Sequence, residues 1–451
     1  MNFTQPEFWV FLIVVVTITW RCRTVSGRHT WLLLASYYFY AHWDIRFTAL
    51  LAFSSGVDFA VGLAIDRSHD PRRRRAWLMV SVCSNLGVLA FFKYFNFFVA
   101  TIGSEAPWNI ILPVGISFFT FQTLSYTIDV YRRRIKACDN LRDFALYVAF
   151  FPQLVAGPIV RASAFLPQLR RVPGFSRRRF YGGFQQILRG LAKKVLIADR
   201  LAETVDVVFA GPDLYASSTV WLAVLAFAGQ IYYDFSGYTD IAVGVAKLLG
   251  YRFPVNFRHP YLATSLSGFW QRWHITLSSW LRDYLYIPLG GSRRGVWITR
   301  RNWMLTMTLG GLWHGAAMTF VVWGVWHGAA LVVSGWFRRW RGLLGWMGTM
   351  AVVLVGWIFF RADSLQAAGM ILFRMVELGG EQGTRLTWWP PLTLAALAVM
   401  VIEHLAWKTR LRPAMRLRAD RWYSPVVTVI LVWTLAVTAP VGYHPFVYFQ
   451  F

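Results

Sequence analysis

Apolar runs of about 20 residues recur from one end of this chain to the other, and clusters of arginine separate them. No other feature limits the fold so tightly. In hydrocarbon every backbone N–H and C=O must find its partner within the protein, so only helices and closed β-barrels span a bilayer. Barrel strands need only about 9–11 residues, and these runs are longer. The chain therefore reads as an all-α polytopic membrane protein. Candidate spans cover residues 6–20, 31–43, 45–65, 76–100, 112–130, 144–160, 183–198, 219–240, 302–320, 321–337, 343–361, 391–407 and 425–441. Several are short for a hydrocarbon layer of ~30 Å. Charged residues make up 15% of the chain, against about a quarter in soluble domains. A length of 451 residues would fill about three soluble domains at ~150 residues each, but no linker separates any. The expectation is one membrane domain over 1–451, with a core motif region at 230–331 and an aromatic tail at 445–451.

The net charge is +25. It is concentrated between the apolar runs, at Arg21/Arg23/Arg28, Arg72 to Arg75, Arg132 to Arg134, Arg170/Arg171 with Arg177 to Arg179, Arg293/Arg294, Arg338/Arg339/Arg341 and Lys408 to Arg421. That placement follows the positive-inside rule rather than nucleic-acid binding. It puts these loops in the cytoplasm against anionic lipid. A negatively charged cytosolic ligand, such as a CoA or nucleotide phosphate, suits the same loops. Cys22, Cys83 and Cys138 form no CxxC pair, so neither a structural disulfide nor a cysteine zinc site is expected. The apolar run at residues 8–20 lacks a basic leader and a small-residue cleavage site, and reads as a retained first helix.

Three interior stretches depart from plain spans. Phe151-Pro152-Gln153-Leu154-Val155-Ala156-Gly157-Pro158 cannot continue a helix. Broken backbone of this kind survives at membrane depth only against protein or a water-filled cavity. Residues 161–200 alternate basic and apolar positions and read as an amphipathic helix on the cytosolic face. Between Gln230 and Asp240, two aspartates and three tyrosines share an apolar neighbourhood and need internal partners. Asp234 and Asp240 can pair with Arg252 or Arg272, or else line a substrate path.

Ionisable residues within apolar segments mark pathways or reactive sites. His274 follows Phe269-Trp270-Gln271-Arg272-Trp273, and His314 lies 40 residues later in Leu312-Trp313-His314-Gly315-Ala316-Ala317. A near copy, Val325-Trp326-His327-Gly328-Ala329-Ala330, comes 13 residues after that. Taken as one helix, Trp270 to Tyr286 places Trp270, His274, Leu277 and Leu281 on one stripe, with Arg272, Arg282 and Asp283 off it. A separation of 13 residues on one straight helix turns His327 about 220° from His314. Unless the run breaks, at Gly324 for instance, only one of the two faces a centre shared with His274. Each histidine also has a plain reading, as a polar core group held by a backbone carbonyl or bridging helices. No HExxH, Walker or GxGxxG stretch is present, and no metal site is expected.

At these residues the sequence resembles the membrane-bound O-acyltransferase family, in its bacterial branch that acetylates exopolysaccharides. The likeness rests on Tyr232 to Asp240, Asn256-Phe257, Phe269 to His274, Trp280 to Gly291, Gly310 to Ala316 and Phe151 to Ile159, and covers nearly the whole chain. It implies a ring of about 11–13 tilted membrane helices, with re-entrant and interfacial helices, around a central tunnel. It implies an O-acetyltransferase subunit that takes acetyl from cytosolic acetyl-CoA, a substrate rather than a bound cofactor. The acetyl group is passed outward for transfer to alginate or a similar exopolysaccharide. His314 matches the family's catalytic histidine and His274 its second polar position. Asp234, Asp240, Arg272, Trp273, Trp313 and Asp283 then line or support the tunnel. The ending Phe446-Val447-Tyr448-Phe449-Gln450-Phe451 is similar to an aromatic motif of this branch. In that motif a tyrosine is proposed to carry the acyl group to an extracytoplasmic SGNH-type partner, which would make Tyr448 the carrier. Without the resemblance the tail reads as an interfacial anchor. Peptidoglycan or cellulose acetylation and D-alanyl transfer are alternatives on the same fold. A transporter or flippase with a histidine proton relay is the alternative of another class, although only the short Trp-His-Gly-Ala-Ala duplication hints at an internal repeat.

Overall fold

The computed structural model describes residues 3–103, 110–335, 342–377, 385–408, 424–438 and 446–447. Among them regular structure is helical, apart from an isolated bridge between Tyr215 and Leu386. Tyr448 and the basic residues Arg338, Arg339, Arg341 and those at 409–421 lie outside the described residues. The fold divides into two compact units, Met1–Ile187 with Thr239–Pro254, and Leu188–Tyr238 with Val255–Phe451.

The first unit contains α1 (Pro6–Arg21), α2 (Val25–Ala41), α3 (Arg46–Arg67), α4 (Pro71–Leu89), α5 (Phe95–Thr101), α6 (Ile116–Tyr131), α7 (Leu141–Ala149), α8 (Phe151–Leu154), α9 (Ala162–Leu169) and the start of α10 (Arg177–Ala192). The helix starts are written in the sequence. Thr24 accepts from the Gly27 N–H, Asp70 from the Arg72 N–H just ahead of Pro71, and Asn140 from the Asp143 N–H, each satisfying an orphan donor. The amphipathic stretch expected over 161–200 is two helices, α9 and α10, separated by an irregular segment containing Pro173-Gly174, and then the π-helical turn Lys193–Ala198. Two members of the arginine clusters are buried and structural. Arg28 donates to the carbonyls of Thr19 (3.0 Å) and Leu249 (2.5 Å), and Arg74 to those of Ile65 (2.7 Å) and Tyr131 (2.7 Å). These carbonyls lie at helix ends, where a cation also meets the negative pole of the helix dipole.

Inside this unit α3, α4 and α6 are joined by a buried polar network. Ser81 donates to Asp58 Oδ1 (2.5 Å), Asn85 Nδ2 to Asp58 Oδ2 (2.7 Å), and Thr123 to Asn85 Oδ1 (2.9 Å); Thr127 lies 2.9 Å from Ser81. With no hydrophobic drive between helices in lipid, such bonds fix which faces meet. The broken stretch 150–160 is packed against protein. Phe150, Phe151, Pro152, Gln153 and Leu154 are buried, Gln153 Nε2 donates to the Tyr147 carbonyl (2.7 Å), and the Phe151 N–H donates to Ser36 (3.2 Å).

The second unit holds α11 (Asp199–Ala210), most of α12 (Ser217–Leu248), α13 (Leu266–Trp270), α14 (Ile275–Leu281), α15 (Val296–His314), α16 (Met318–Ser334), α17 (Gly342–Arg361), α18 (Leu365–Val376), α19 (Pro391–Lys408) and α20 (Ser424–Thr438). Its core is aromatic and β-branched, with Phe227, Ile231, Phe269, Trp273, Val353 and Trp357 buried together. The chain passes between the units three times, inside α10, inside α12 and in the non-helical segment at Pro254 and Val255.

Among the described residues three helical stretches are long and apolar enough to cross a membrane: Arg46–Arg67, Pro71–Thr101 and Gly342–Arg361. Met318–Ser334, Leu365–Val376, Pro391–Trp407 and Ser424–Thr438 are apolar but shorter. A helix rises ~1.5 Å per residue, so each of these shorter helices falls short of the ~30 Å hydrocarbon layer.

Candidate active site

The three histidines singled out in the sequence all lie in the second unit; His314 and His274 sit at interruptions of helix, and His327 lies within α16. His314 is the last residue of α15. The chain then runs extended through Gly315 and Ala317 before α16 begins at Met318. The run from 302 to 337 is thus two helices, and the break falls at Gly315–Ala317 rather than at Gly324. The 220° phase expected for one straight helix does not apply. α15 and α16 instead pack closely, because a Cβ on Gly311 would collide with the Phe320 carbonyl and one on Gly324 with the Met307 carbonyl. This approach brings both histidines to one indole. The His314 ring lies edge-on to Trp323 at 5.2 Å between centroids, and His327 lies edge-on to the same ring at 4.8 Å. His327 also meets Trp270 at 5.0 Å, and His314 meets Phe360 at 5.2 Å. The expectation that His327 packs away from His314 is corrected. It belongs to the same aromatic cluster, with both ring nitrogens lacking a hydrogen-bond partner among the described residues.

His274 is also placed differently from the expected helix stripe. α13 ends at Trp270, and α14 starts at Ile275. His274 between them adopts left-handed backbone angles, φ 40° and ψ 54°. Non-glycine residues rarely do so, and such positions concentrate at functional sites. Beyond α14 a π-helical turn, Arg282–Tyr286, closes the segment. The cause of the break lies 18 residues upstream. Asn256 Oδ1 accepts from the Thr276 N–H (3.1 Å) and the Thr276 hydroxyl (2.9 Å), and lies 3.2 Å from His274 Nδ1. An atom that accepts a backbone N–H is the amide oxygen, so Nδ1 must be the protonated nitrogen of a neutral His274. The lone pair is then on Nε2, which is buried and without a partner among the described residues.

Trp313 stands between the two centres. Its ring lies 6.1 Å from His274 and 5.1 Å from His314, centroid to centroid. Trp273 stacks on Phe269 at 5.7 Å and meets Trp357 at 4.8 Å, while the ring against His274 from α12 is Phe235, edge-on at 4.7 Å. Asp283 is not part of this cluster; it pairs with the adjacent Arg282 at 2.7 Å. Arg272 is half-buried, and its carbonyl accepts from the Arg258 N–H (3.0 Å).

Neither aspartate pairs with Arg252 or Arg272. Asp240 belongs to the first unit, where Gln186 donates to it at 2.9 Å. Asp234 is buried in the second unit, 2.8 Å from Lys194 Nζ, and Lys194 lies 2.9 Å from Asp199 as well. Lys194 and Asp199 are five residues apart, and the π-helical turn Lys193–Ala198 presents them on one side. Asp234 Oδ2 accepts the Val447 N–H at 2.8 Å. Sequence reading missed Asn256 and Lys194 as site residues. For Asn256 the signal was an amide standing in an apolar stretch that shares motif with His274. For Lys194 the basic setting masked a buried ion pair.

This arrangement offers two imidazoles beside one indole, enclosed by aromatic rings. Such a centre can take a proton from a hydroxyl and return it to a leaving group. The sequence profile of the membrane-bound O-acyltransferase family matches residues 108–362, over half of the chain, and the match contains all three histidines. The chain belongs to the membrane-bound O-acyltransferase family. It is accordingly a helical membrane protein and an acyltransferase. It is 38% identical to the probable alginate O-acetylase AlgI of Pseudomonas putida, covering 98% of this chain and 99% of that one. It is 37% identical to the peptidoglycan O-acetyltransferase of Helicobacter pylori over 78% of this chain and 74% of that one. The teichoic acid D-alanyltransferase of Bacillus subtilis is 26% identical over 53% of this chain and 63% of its own.

Proposed function

We propose that this acyltransferase is the membrane subunit of an O-acetylation system in the bacterial inner membrane, with cytosolic acetyl-CoA as donor and an extracytoplasmic polysaccharide of the alginate kind as final acceptor. The observation that carries the reading is the pairing of His314 and His274 across Trp313, in a chain alike along nearly its whole length to a probable alginate O-acetylase. His314 acts as the base. It removes the proton of an attacking hydroxyl while that oxygen bonds to the carbonyl carbon of the acetyl thioester. The carbon–sulfur bond breaks, and the thiolate leaves with the proton returned by the imidazolium. His274 presents the Nε2 lone pair and orients the acceptor hydroxyl. The first acceptor is Tyr448, whose acetyl ester passes to an SGNH-type partner outside the membrane.

A donor bearing phosphates needs cations at its entry. The first unit offers a cavity of about 420 Å³ lined by Ser176, Arg178, Arg179, Lys247, Arg252 and Phe253, at the start of α10. Side chains of this kind suit the nucleotide phosphates of acetyl-CoA. Arg252→Glu is expected to raise KM for acetyl-CoA several-fold with kcat little changed; an unaltered KM removes this cavity from the donor path.

The deciding experiment for the carrier is peptide mass spectrometry after incubation with labelled acetyl-CoA. An acetyl ester on Tyr448 in the unaltered protein, absent in Tyr448→Phe together with polymer acetylation, is the expected result. Full polymer acetylation by Tyr448→Phe overturns the carrier assignment.

A further inference from the structure

The buried ion cluster of Lys194, Asp199 and Asp234 is not among the groups that perform the chemistry, yet it meets the aromatic segment that contains Tyr448. We propose that Lys194 and Asp234 form a docking clasp that registers this segment, acting as positioning residues for acetyl loading of Tyr448. The inference rests on the carrier reading above, and its test separates the two.

The contacts fix register in two independent ways. The Val447 N–H donates to Asp234 Oδ2 at 2.8 Å, a backbone contact that holds one peptide unit. The Phe446 ring lies under Lys194 Nζ, 4.6 Å from centroid to cation, and meets Tyr238 edge-on at 4.9 Å. Phe446 and Val447 are both buried, at 1% and 3% exposure. A slip of one residue would offer a different N–H to the carboxylate and move the ring off the cation. The residue next in the chain is Tyr448, so a contact that registers residue 447 bears on the candidate carrier.

Lys194 lies 2.8 Å from Asp234 and 2.9 Å from Asp199. Asp234 Oδ1 is occupied by Lys194, and its other oxygen takes the Val447 N–H. A buried carboxylate oxygen calls for such a donor, and the Phe446 face covers the cation by a cation–π contact. The docking surface is also assembled locally. A Cβ on Gly237 would lie 2.8 Å from the Gly190 carbonyl and 3.2 Å from Lys193 Cβ, so this glycine lets α12 approach the turn that carries Lys194.

The test uses the full chain in detergent or nanodiscs, with Phe446→Ala, Phe446→Tyr and Asp234→Ala. Hydrogen exchange of peptides spanning Phe446 and Val447 reads docking without chemistry, and is expected to quicken at least tenfold in Phe446→Ala and Asp234→Ala. Pulse loading of Tyr448 from labelled acetyl-CoA is expected to fall at least tenfold in rate while KM for the donor stays within twofold. Phe446→Tyr, which keeps the ring, restores both. Unchanged exchange, or Tyr448 loading within twofold of normal in Phe446→Ala, overturns the clasp. Phe446 lies outside every described helix, so its variant answers the question even if Asp234→Ala fails to fold. If Tyr448 carries no label in the unaltered protein, the carrier reading falls and with it the clasp's part in transfer, whereas the exchange result still decides the docking.

Discussion

Two buried polar clusters, one in each unit, are partnered in opposite ways. Around Asp58, donor and acceptor are matched across three helices: Ser81 and Asn85 donate to the two carboxylate oxygens, and Thr123 donates to Asn85. Around the histidines, polar atoms are enclosed by rings that offer them nothing. His274 Nε2, both nitrogens of His327 and the indole N–H groups of Trp270 and Trp323 have no partner among the described residues. A satisfied network resists change and specifies which helices meet. A buried atom left open is costly to keep. The first cluster therefore holds the fold, and the second is the one proposed above for transfer.

Mutations can break this contrast. His314→Ala is expected to cost about 10²–10⁴-fold in acetyl transfer, the range for a lost general base, with no change in thermal unfolding in detergent. Retention of transfer in that variant would remove His314 from the chemistry. Asn256→Ala deletes the acceptor that sets the His274 tautomer, and about a tenfold fall in kcat follows from one lost buried hydrogen bond. Its effect is expected to vanish in a His274→Ala background, a double-mutant cycle that checks whether the two act as a unit. Asp58→Ala has the smallest effect on transfer, within about twofold per folded molecule, because a lost internal bond of about 1–3 kcal/mol lowers unfolding temperature instead. A large fall in kcat at unchanged stability would show that the first network also takes part in transfer.

Much of the helical architecture was legible because apolar runs and Pro, Ser, Thr, Asp and Asn at helix starts are local signals. The runs at 6–20, 45–65, 343–361 and 391–407 became α1, α3, α17 and α19 within a few residues. The breaks inside the core were not legible. Trp270, His274, Leu277 and Leu281 fit a helical stripe well, and what interrupts it is an amide oxygen 18 residues away. Gly315 and Ala317 look no more disruptive than the Gly and Ala after His327, yet only the first pair is extended. The partner of Asp234 was misjudged for a similar reason. Arg252 and Arg272 are nearer in sequence than Lys194, but a π-helical turn and a glycine contact bring the lysine alongside. Long-range acceptors and glycine-mediated helix approach leave little trace in periodicity.

The left-handed backbone of His274 restricts the position as strictly as the chemistry does. At φ 40° and ψ 54° an ordinary side chain pays about 1–2 kcal/mol, whereas asparagine, aspartate and histidine settle there readily because they are small at Cβ and polar nearby. The set of residue types that can occupy position 274 is thus filtered twice, first by backbone torsion and then by the need for a polar atom facing Trp313. Glutamine, although an amide like asparagine, passes only the second filter. Any variation seen at this position among working enzymes of this design is expected to stay within the short list that the torsion admits.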